Sequence, residues 1–184
     1  MKITIIRHGE TDWNLQRRAQ GSVDTELNQT GLNQAKNLSL RLANEPCDII
    51  YSSDLQRASK TAEIINEQHH ATFITSSCLR ESSLGEFEGK YFDTAESREA
   101  FHHYMSQRAP AYFAQVQGYL KETILSSGKE HIFIVGHFGT LQAIICYFMN
   151  IPVNERSLFP VGNTGLYQFL RNDNGSFRMI REND

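Results

Sequence analysis

Three stretches far apart in the chain carry side chains that together could hold a phosphate. Arg7-His8-Gly9 follows the apolar run KITII that begins at Lys2. Ser52-Ser53 follows DIIY (Asp48–Tyr51), with Arg57 about one helical turn further on. Gly136-His137 follows HIFIV (His131–Val135) and opens another helical segment. In open α/β sheets, ligands bind beyond the carboxyl ends of the strands. If the three runs are neighbouring strands, two arginines and two histidines meet at one sheet edge. A helix N-terminus adds oriented N–H groups and a positive dipole end. The forked donors of arginine suit phosphate. Each residue alone has a plainer reading, a structural histidine or a solvated arginine. What sets that aside is coincidence, because three strands each deliver a phosphate-compatible group at the same end.

Rival chemistries find little footing. Gly85-Glu86-Phe87-Glu88-Gly89-Lys90 is one residue short of a P-loop, and Tyr91 stands where a Ser or Thr would hold magnesium. The chain has no GxGxxG for a dinucleotide, no GxSxG nucleophile elbow and no HExxH. None of Cys47, Cys78 and Cys146 has an arginine six positions later, as a cysteine phosphatase loop would require. Three widely spaced cysteines without a CxxC argue against a disulfide framework and a zinc site, and fit a reducing, cytoplasmic setting. All three are expected to be small buried apolar residues. The adjacent pairs His69-His70 and His102-His103 diverge on a helix, chelate poorly, and are expected at the surface.

The elements that must position the site are legible as hydrophobic patterns. KITIIR, DIIY and HIFIV are short, nearly all-apolar runs, as in strands buried on both faces. Leu32, Ala35, Leu38 and Leu42 recur at helical spacing after a capping Asn28, and Pro46 lies just beyond. A second helix follows Ser53 as its cap, with Leu55, Ala58, Ala62 and Ile65 inward, and a third runs from about Gly139 to Met149. Strands alternating with helices predict an α/β fold: a three-layer sandwich with a mostly parallel central sheet and helices on both faces. Between residues 82 and 128 the alternation breaks. Two helices are expected there, roughly Thr94–Arg108 and Pro110–Ser126, as a short helical lid insertion. In the second, Phe113, Val116, Leu120 and Ile124 form one stripe, read as packing. TGLYQFL, NDNG and SFRMI predict a closing hairpin.

With 184 residues the chain fits one domain, 1–184, large enough for a real core. Its net charge of −3 gives no basis for nucleic-acid binding, so the basic cluster is local. No apolar run approaches the roughly 18 residues of a membrane span, and no leader is expected at the N-terminus.

The ordered set of motifs resembles the histidine phosphatase superfamily, the phosphoglycerate mutase-like or RHG group. It runs from Arg7-His8-Gly9-Glu10-Thr11 with Trp13-Asn14 and Gln20-Gly21, through Leu27–Gly31 and Ser52–Ala58. It continues through Leu79-Arg80-Glu81 and Phe87-Glu88-Gly89 to Gly136–Gly139 and Asn163-Thr164-Gly165. The tripeptide alone is weak; the set covers nearly the whole chain in order. The resemblance implies His8 as nucleophile forming a phosphohistidine. It implies Arg7, Arg57 and His137 as holders of the phosphoryl oxygens, Asn14 as a further donor, and Glu81 as general acid and then base. Gln20, Gly21 and Phe138 are implied as substrate contacts. Neither metal nor cofactor is implied. Departures are Asn28 where Thr is common, Phe87 where Trp is usual, and Gln107-Arg108-Ala109-Pro110-Ala111 in place of Gly-Glu-Ser at the lid helix.

The most similar subgroup is the α-ribazole phosphatase type, with small general phosphatases close behind. The implied activity is metal-independent hydrolysis of a small phosphomonoester, α-ribazole 5′-phosphate among the candidates. The alternatives are phosphoglycerate mutase-type transfer and a phospholigand-binding protein without turnover. A mutase would need a second basic cluster, and the sequence offers no clear one beyond Arg80, Lys90, Arg98 and Arg108. The expected partner is a small molecule, with no nucleic acid and no membrane.

Overall fold

The three all-apolar runs become the middle of one six-stranded sheet. A computed structural model describes residues 1–182, with the side chains of 156–158 outside that description. The strands are β1 (Lys2–Arg7), β2 (Ile49–Ser53), β3 (Thr72–Ser76), β4 (His131–Gly136), β5 (Leu166–Arg171) and β6 (Phe177–Arg181). Their order is β3-β2-β4-β1-β5-β6, with β3, β2, β4 and β1 parallel and the β5–β6 hairpin antiparallel. β1 and β4 run in register from Lys2 opposite His131 to Arg7 opposite Gly136. That register makes His8 and His137 neighbours as the chain leaves the sheet.

The helices are α1 (Asp12–Leu15, one turn), α2 (Gln29–Leu42), α3 (Gln56–His69), α4 (Ala95–Tyr119) and α5 (Phe138–Met149). On one face, α2 and α3 bury Leu38, Leu42, Ala58, Ala62 and Ile65 against Ile6, Ile50, Phe133 and Val135. On the other, α4 and α5 bury Phe113, Val116, Leu141, Ile144 and Ile145 against Ile3, Ile5, Ile132 and Ile134. Adjacent strand residues point to opposite faces, so a sheet covered on both sides must be apolar throughout. The result is the three-layer α/β sandwich, with the helices on both faces.

Three local expectations are corrected, and one strand is added. The segment after Thr94 is not two helices divided at Pro110: α4 is one 25-residue helix containing Pro110. The ring of Pro110 removes one N–H and crowds the carbonyl of the preceding turn. Ala109 is nevertheless only 2 % exposed, so the turn before the proline is docked and the helix passes through it. The expected stripe does pack, with Leu120 and Ile124 carried on a π-helical turn, Leu120–Ile124, that continues α4. Ser53 does not cap α3. The helix starts at Gln56, whose N–H donates to Asp24 Oδ1 at 2.7 Å, a cap from 32 residues away. Strand β3 was not anticipated; it is a short edge strand with a largely exposed face. Of the cysteines only Cys146 is buried; Cys47 and Cys78 are half-buried. Burial pushes the Cys47 thiol up to about 12, which leaves it unreactive. Among the described residues no helix is long and apolar enough to cross a membrane.

Candidate active site

Three strand ends meet as the topology requires. Arg7 closes β1 and His8 follows it, with the His8 N–H extending the ladder to the Gly136 carbonyl at 3.0 Å. His137 leaves β4 and occupies the N-cap position of α5. Arg57 lies in the first turn of α3, just beyond β2. The two imidazole rings stand 5.2 Å apart between centroids. His8 Nδ1 lies 2.7 Å from the Gly9 carbonyl. A carbonyl only accepts, so Nδ1 carries the proton and Nε2 keeps its lone pair. Burial holds His8 well below the ordinary imidazole range; Arg7 and Arg57 reinforce this and the Gly9 carbonyl opposes it. His137 is lowered likewise, by burial, then by Arg57, His8 and Arg7. Both rings are neutral at neutral pH, and a neutral ring is what a nitrogen nucleophile requires.

The arginines are held from behind. Arg57 Nη1 donates to the Val23 carbonyl at 2.7 Å and Nη2 to the Gly21 carbonyl at 2.8 Å. Arg7 Nη1 donates to the Val161 carbonyl at 2.7 Å. Burial lowers Arg57 to about 10, against the pull of Glu81 and Asp24, so it stays cationic at neutral pH. Arg7 Nε, Arg57 Nε and both ring nitrogens of His137 are buried without a partner among the described residues. Leaving a buried donor unpaired costs about 1–3 kcal/mol. A cluster of such atoms beside two guanidinium groups fits a ligand rich in anionic acceptor oxygens.

Glu81 sits across this cluster. Its Oε2 accepts from the Gly139 N–H at 2.9 Å in the first turn of α5, and its Oε1 from the Ser82 N–H at 3.0 Å. A Cβ on residue 139 would strike the Glu81 carboxylate, so glycine is what permits the approach. The segment before Glu81 is pinned by two hydroxyls. Tyr112 O–H donates to the Arg80 carbonyl at 2.9 Å, and Thr140 Oγ1, itself 2.9 Å from the Tyr112 oxygen, donates to the Leu79 carbonyl at 3.1 Å. Sequence reasoning did not single out Tyr112. Its neighbour Phe113 belongs to the visible stripe, and nothing local marks the tyrosine's contact with a loop 32 residues earlier.

A cavity of about 600 Å³ is bordered by every residue singled out from the sequence: Arg7, His8, Asn14, Gln20, Gly21, Arg57, Glu81, His137 and Phe138. Asn14 Oδ1 accepts from the Thr11 N–H at 3.2 Å in a capping box on α1. Gln20 Oε1 accepts from the hydroxyls of Thr11 at 3.0 Å and Thr25 at 2.7 Å. Gly21, at φ +55°, turns its carbonyl to Arg57. Phe138 is the first residue of α5, and the Arg7 guanidinium lies 5.7 Å from its ring centre. The outer wall comes from α4, within the segment expected as a lid, although its lining residues were not named from the sequence; Phe101, Met105 and Phe113 line it, and Leu84 also borders the cavity. His102, expected only at the surface, is exposed but borders the mouth, whereas His69 is half-buried against Phe133. Phe87 packs in an aromatic cluster with Phe92, Phe101 and Tyr104.

None of the four basic residues considered for a second anion borders the cavity. Arg80 pairs with Asp54 at 2.7 and 2.8 Å, and Lys90 with Glu86 at 3.5 Å. Arg98 donates to the carbonyls of Phe92 and Asp93, and Arg108 lies over the Tyr104 ring. Arg18 does border it, with Nε donating to the Gly89 carbonyl at 2.8 Å and the guanidinium 4.3 Å from the Trp13 ring centre.

A phosphate-compatible pocket at the carboxyl ends of parallel strands, with a buried neutral histidine between two arginines, defines the class. Residues 3–184 match the model of the histidine phosphatase superfamily (branch 1), and the chain belongs to that family. It is 32 % identical over 144 residues to the Bacillus subtilis protein named uncharacterized phosphatase PhoE, across 78 % of this chain and 75 % of that one. Among solved structures, a mutant phosphoserine phosphatase from Entamoeba histolytica in complex with phosphoserine superposes with a TM-score of 0.86 at 25 % identity, over 100 % of this chain and 96 % of that one. The α-ribazole phosphatase of Shigella flexneri shares the fold with a TM-score of 0.87 at 22 % identity, over 100 % and 96 % of the two chains. The protein is therefore a phosphoric monoester hydrolase of the histidine phosphatase family.

Proposed function

We propose that this phosphatase works without a metal, through a phosphohistidine on His8. Nε2 attacks phosphorus in line with the ester oxygen; the P–O bond breaks, and Glu81, as the acid, gives its proton to the leaving alkoxide. In the second half Glu81, now a carboxylate, takes a proton from water. That water attacks phosphorus, the P–N bond breaks, and inorganic phosphate leaves. Arg7, Arg57 and His137 stabilise the charge spread over the three non-bridging oxygens, and Asn14 donates a further hydrogen bond. Gln20, Gly21 and Phe138 face the alcohol part of the ester. The observation that carries the reading is the His8 Nδ1–H bond to Gly9, with unpartnered donors of Arg7, Arg57 and His137 buried beside that ring.

The apolar outer wall favours a small ester whose alcohol carries a ring, and α-ribazole 5′-phosphate is a candidate of that kind. Transfer of the mutase type is disfavoured because Arg80, Lys90, Arg98 and Arg108 are engaged elsewhere. The free thiols of Cys47 and Cys78 fit a cytoplasmic setting.

The test is phosphate release by the purified protein from a panel of monoesters, with α-ribazole 5′-phosphate, phosphoserine and 3-phosphoglycerate included. His8→Ala is expected to lose at least about 10³-fold in kcat/KM, and EDTA to change nothing. Full activity of His8→Ala would end the phosphohistidine reading. Inhibition by EDTA would end the metal-free one, and 2-phosphoglycerate formed with a bisphosphate primer would favour the mutase.

A further inference from the structure

The Asn163-Thr164-Gly165 stretch has no task in the mechanism above, yet it lies directly behind the reacting groups. Asn163 Nδ2 is 3.1 Å from the His8 carbonyl, 3.2 Å from the Gly9 carbonyl and 3.2 Å from Asn14 Oδ1. All three are acceptors, so the amide nitrogen must face them; the flipped amide would set oxygen against oxygen. Two of these contacts reach groups to which the reaction assigns work. The Gly9 carbonyl is the one that takes the proton of His8 Nδ1, at 2.7 Å. Asn14 Oδ1 also accepts from the Thr11 N–H, at 3.2 Å. With Oδ1 engaged on that side, the group Asn14 has left for the cavity it borders is its NH2 donor.

The backbone beside Asn163 is held in a conformation it would not choose. Thr164 has φ +56°, and a β-branched residue in the left-handed region is an outlier that persists only where its surroundings impose it. Here the Thr164 N–H donates to the His8 carbonyl at 3.2 Å, its hydroxyl to the Asn163 carbonyl at 2.7 Å, and the Gly165 carbonyl receives the Arg7 N–H at 3.0 Å. The strained turn is thus tied to Arg7 and His8, and it aims the Asn163 side chain at the space between His8 and Asn14.

We propose that Asn163 is a positioning residue whose side-chain NH2 orients the Asn14 amide so that its donor meets the transferring phosphoryl, and steadies the Gly9 carbonyl that fixes the His8 tautomer. The proposal rests on the roles given above to His8 and Asn14.

A double-mutant cycle tests it, with p-nitrophenyl phosphate as substrate and inorganic phosphate as competitive inhibitor. Asn163→Ala is expected to lower kcat about 10–100-fold, within the range for loss of one transition-state donor, and to weaken phosphate inhibition about as much as Asn14→Ala does. The double variant is expected within about 3-fold of the worse single one, because Asn14 contributes its donor only when Asn163 orients it. In Asn163→Asp a carboxylate faces three acceptors. Activity at pH 8 should fall below that of Asn163→Ala, and its ratio to wild type should rise toward acid pH, where a protonated carboxyl can donate. Losses that multiply in the double variant, or an Asn163→Ala protein with lowered Tm and wild-type kcat and phosphate affinity, would reduce Asn163 to scaffold. If Asn163→Ala does not fold, the isosteric Asp variant decides, and a ratio independent of pH overturns the proposal. Full activity of His8→Ala would instead remove the reading beneath it, a result distinct from multiplying losses.

Discussion

His8 and His137 are buried as neutral imidazoles in a pocket that already contains two guanidinium groups. Their pKa values are lowered in the folded state, whereas in the unfolded chain an imidazole titrates near about 6.5. Below that pH the unfolded chain takes up protons that the native site refuses. The stability from these residues is therefore complete above about pH 6.5 and is lost as pH falls through the lower, folded values. We expect urea midpoints of the wild type to decline between pH 7 and pH 5, and His137→Asn to decline less steeply. Equal slopes would mean that other groups dominate. The identities of these residues, and of Arg7, Arg57 and Glu81, were legible because each follows a recognisable strand or belongs to an ordered motif. Tyr112 and Thr140 were not, because a hydroxyl's partner cannot be known before the chain is folded.

Elements supply the site through their ends, and the ends are where local reading failed. The start of α3 carries Arg57, and its cap is Asp24, whose carboxylate accepts from both the N–H and the side chain of Gln56. The same loop provides the Gly21 and Val23 carbonyls that hold the Arg57 guanidinium. Asp24→Ala should cost about 1 kcal/mol, a normal cap loss, read as a lower urea midpoint at unchanged m-value. Because the loop also orients Arg57, KM should rise severalfold. A stability loss without any change in KM would show the cap and the arginine to be independent. Strands β1, β2 and β4 were legible because burial on both faces demands unbroken apolar runs. Edge strand β3 buries too little to leave such a signal. Helix α4 was misread at Pro110, because a proline suits both a first turn and a docked helix interior, and only packing chooses between them.

At the scale of the whole molecule, the unpaired polar atoms of Arg7, Arg57 and His137 carry a desolvation cost that the anion proposed to bind there would offset. A ligand that binds only the native state stabilises it by about 2.7 kcal/mol at 100 times its Kd. For a chain of this size about 2–4 °C per kcal/mol is usual. Saturating inorganic phosphate should therefore raise Tm by about 5–10 °C, and Arg57→Ala should abolish most of the shift in a thermal scan. An undiminished shift in that variant would place the anion elsewhere. The sequence by itself determined the fold class, the strands at the centre of the sheet, and which residues to gather at their carboxyl ends, because hydrophobic periodicity and residue chemistry are local properties. Tertiary structure alone decided the register that sets His8 beside His137 and the glycine that admits Glu81 to the start of α5. It also decided the apolar wall lent by α4 and the strained turn that aims Asn163. Each of these depends on distances between segments tens to more than a hundred residues apart, which no window along the chain contains.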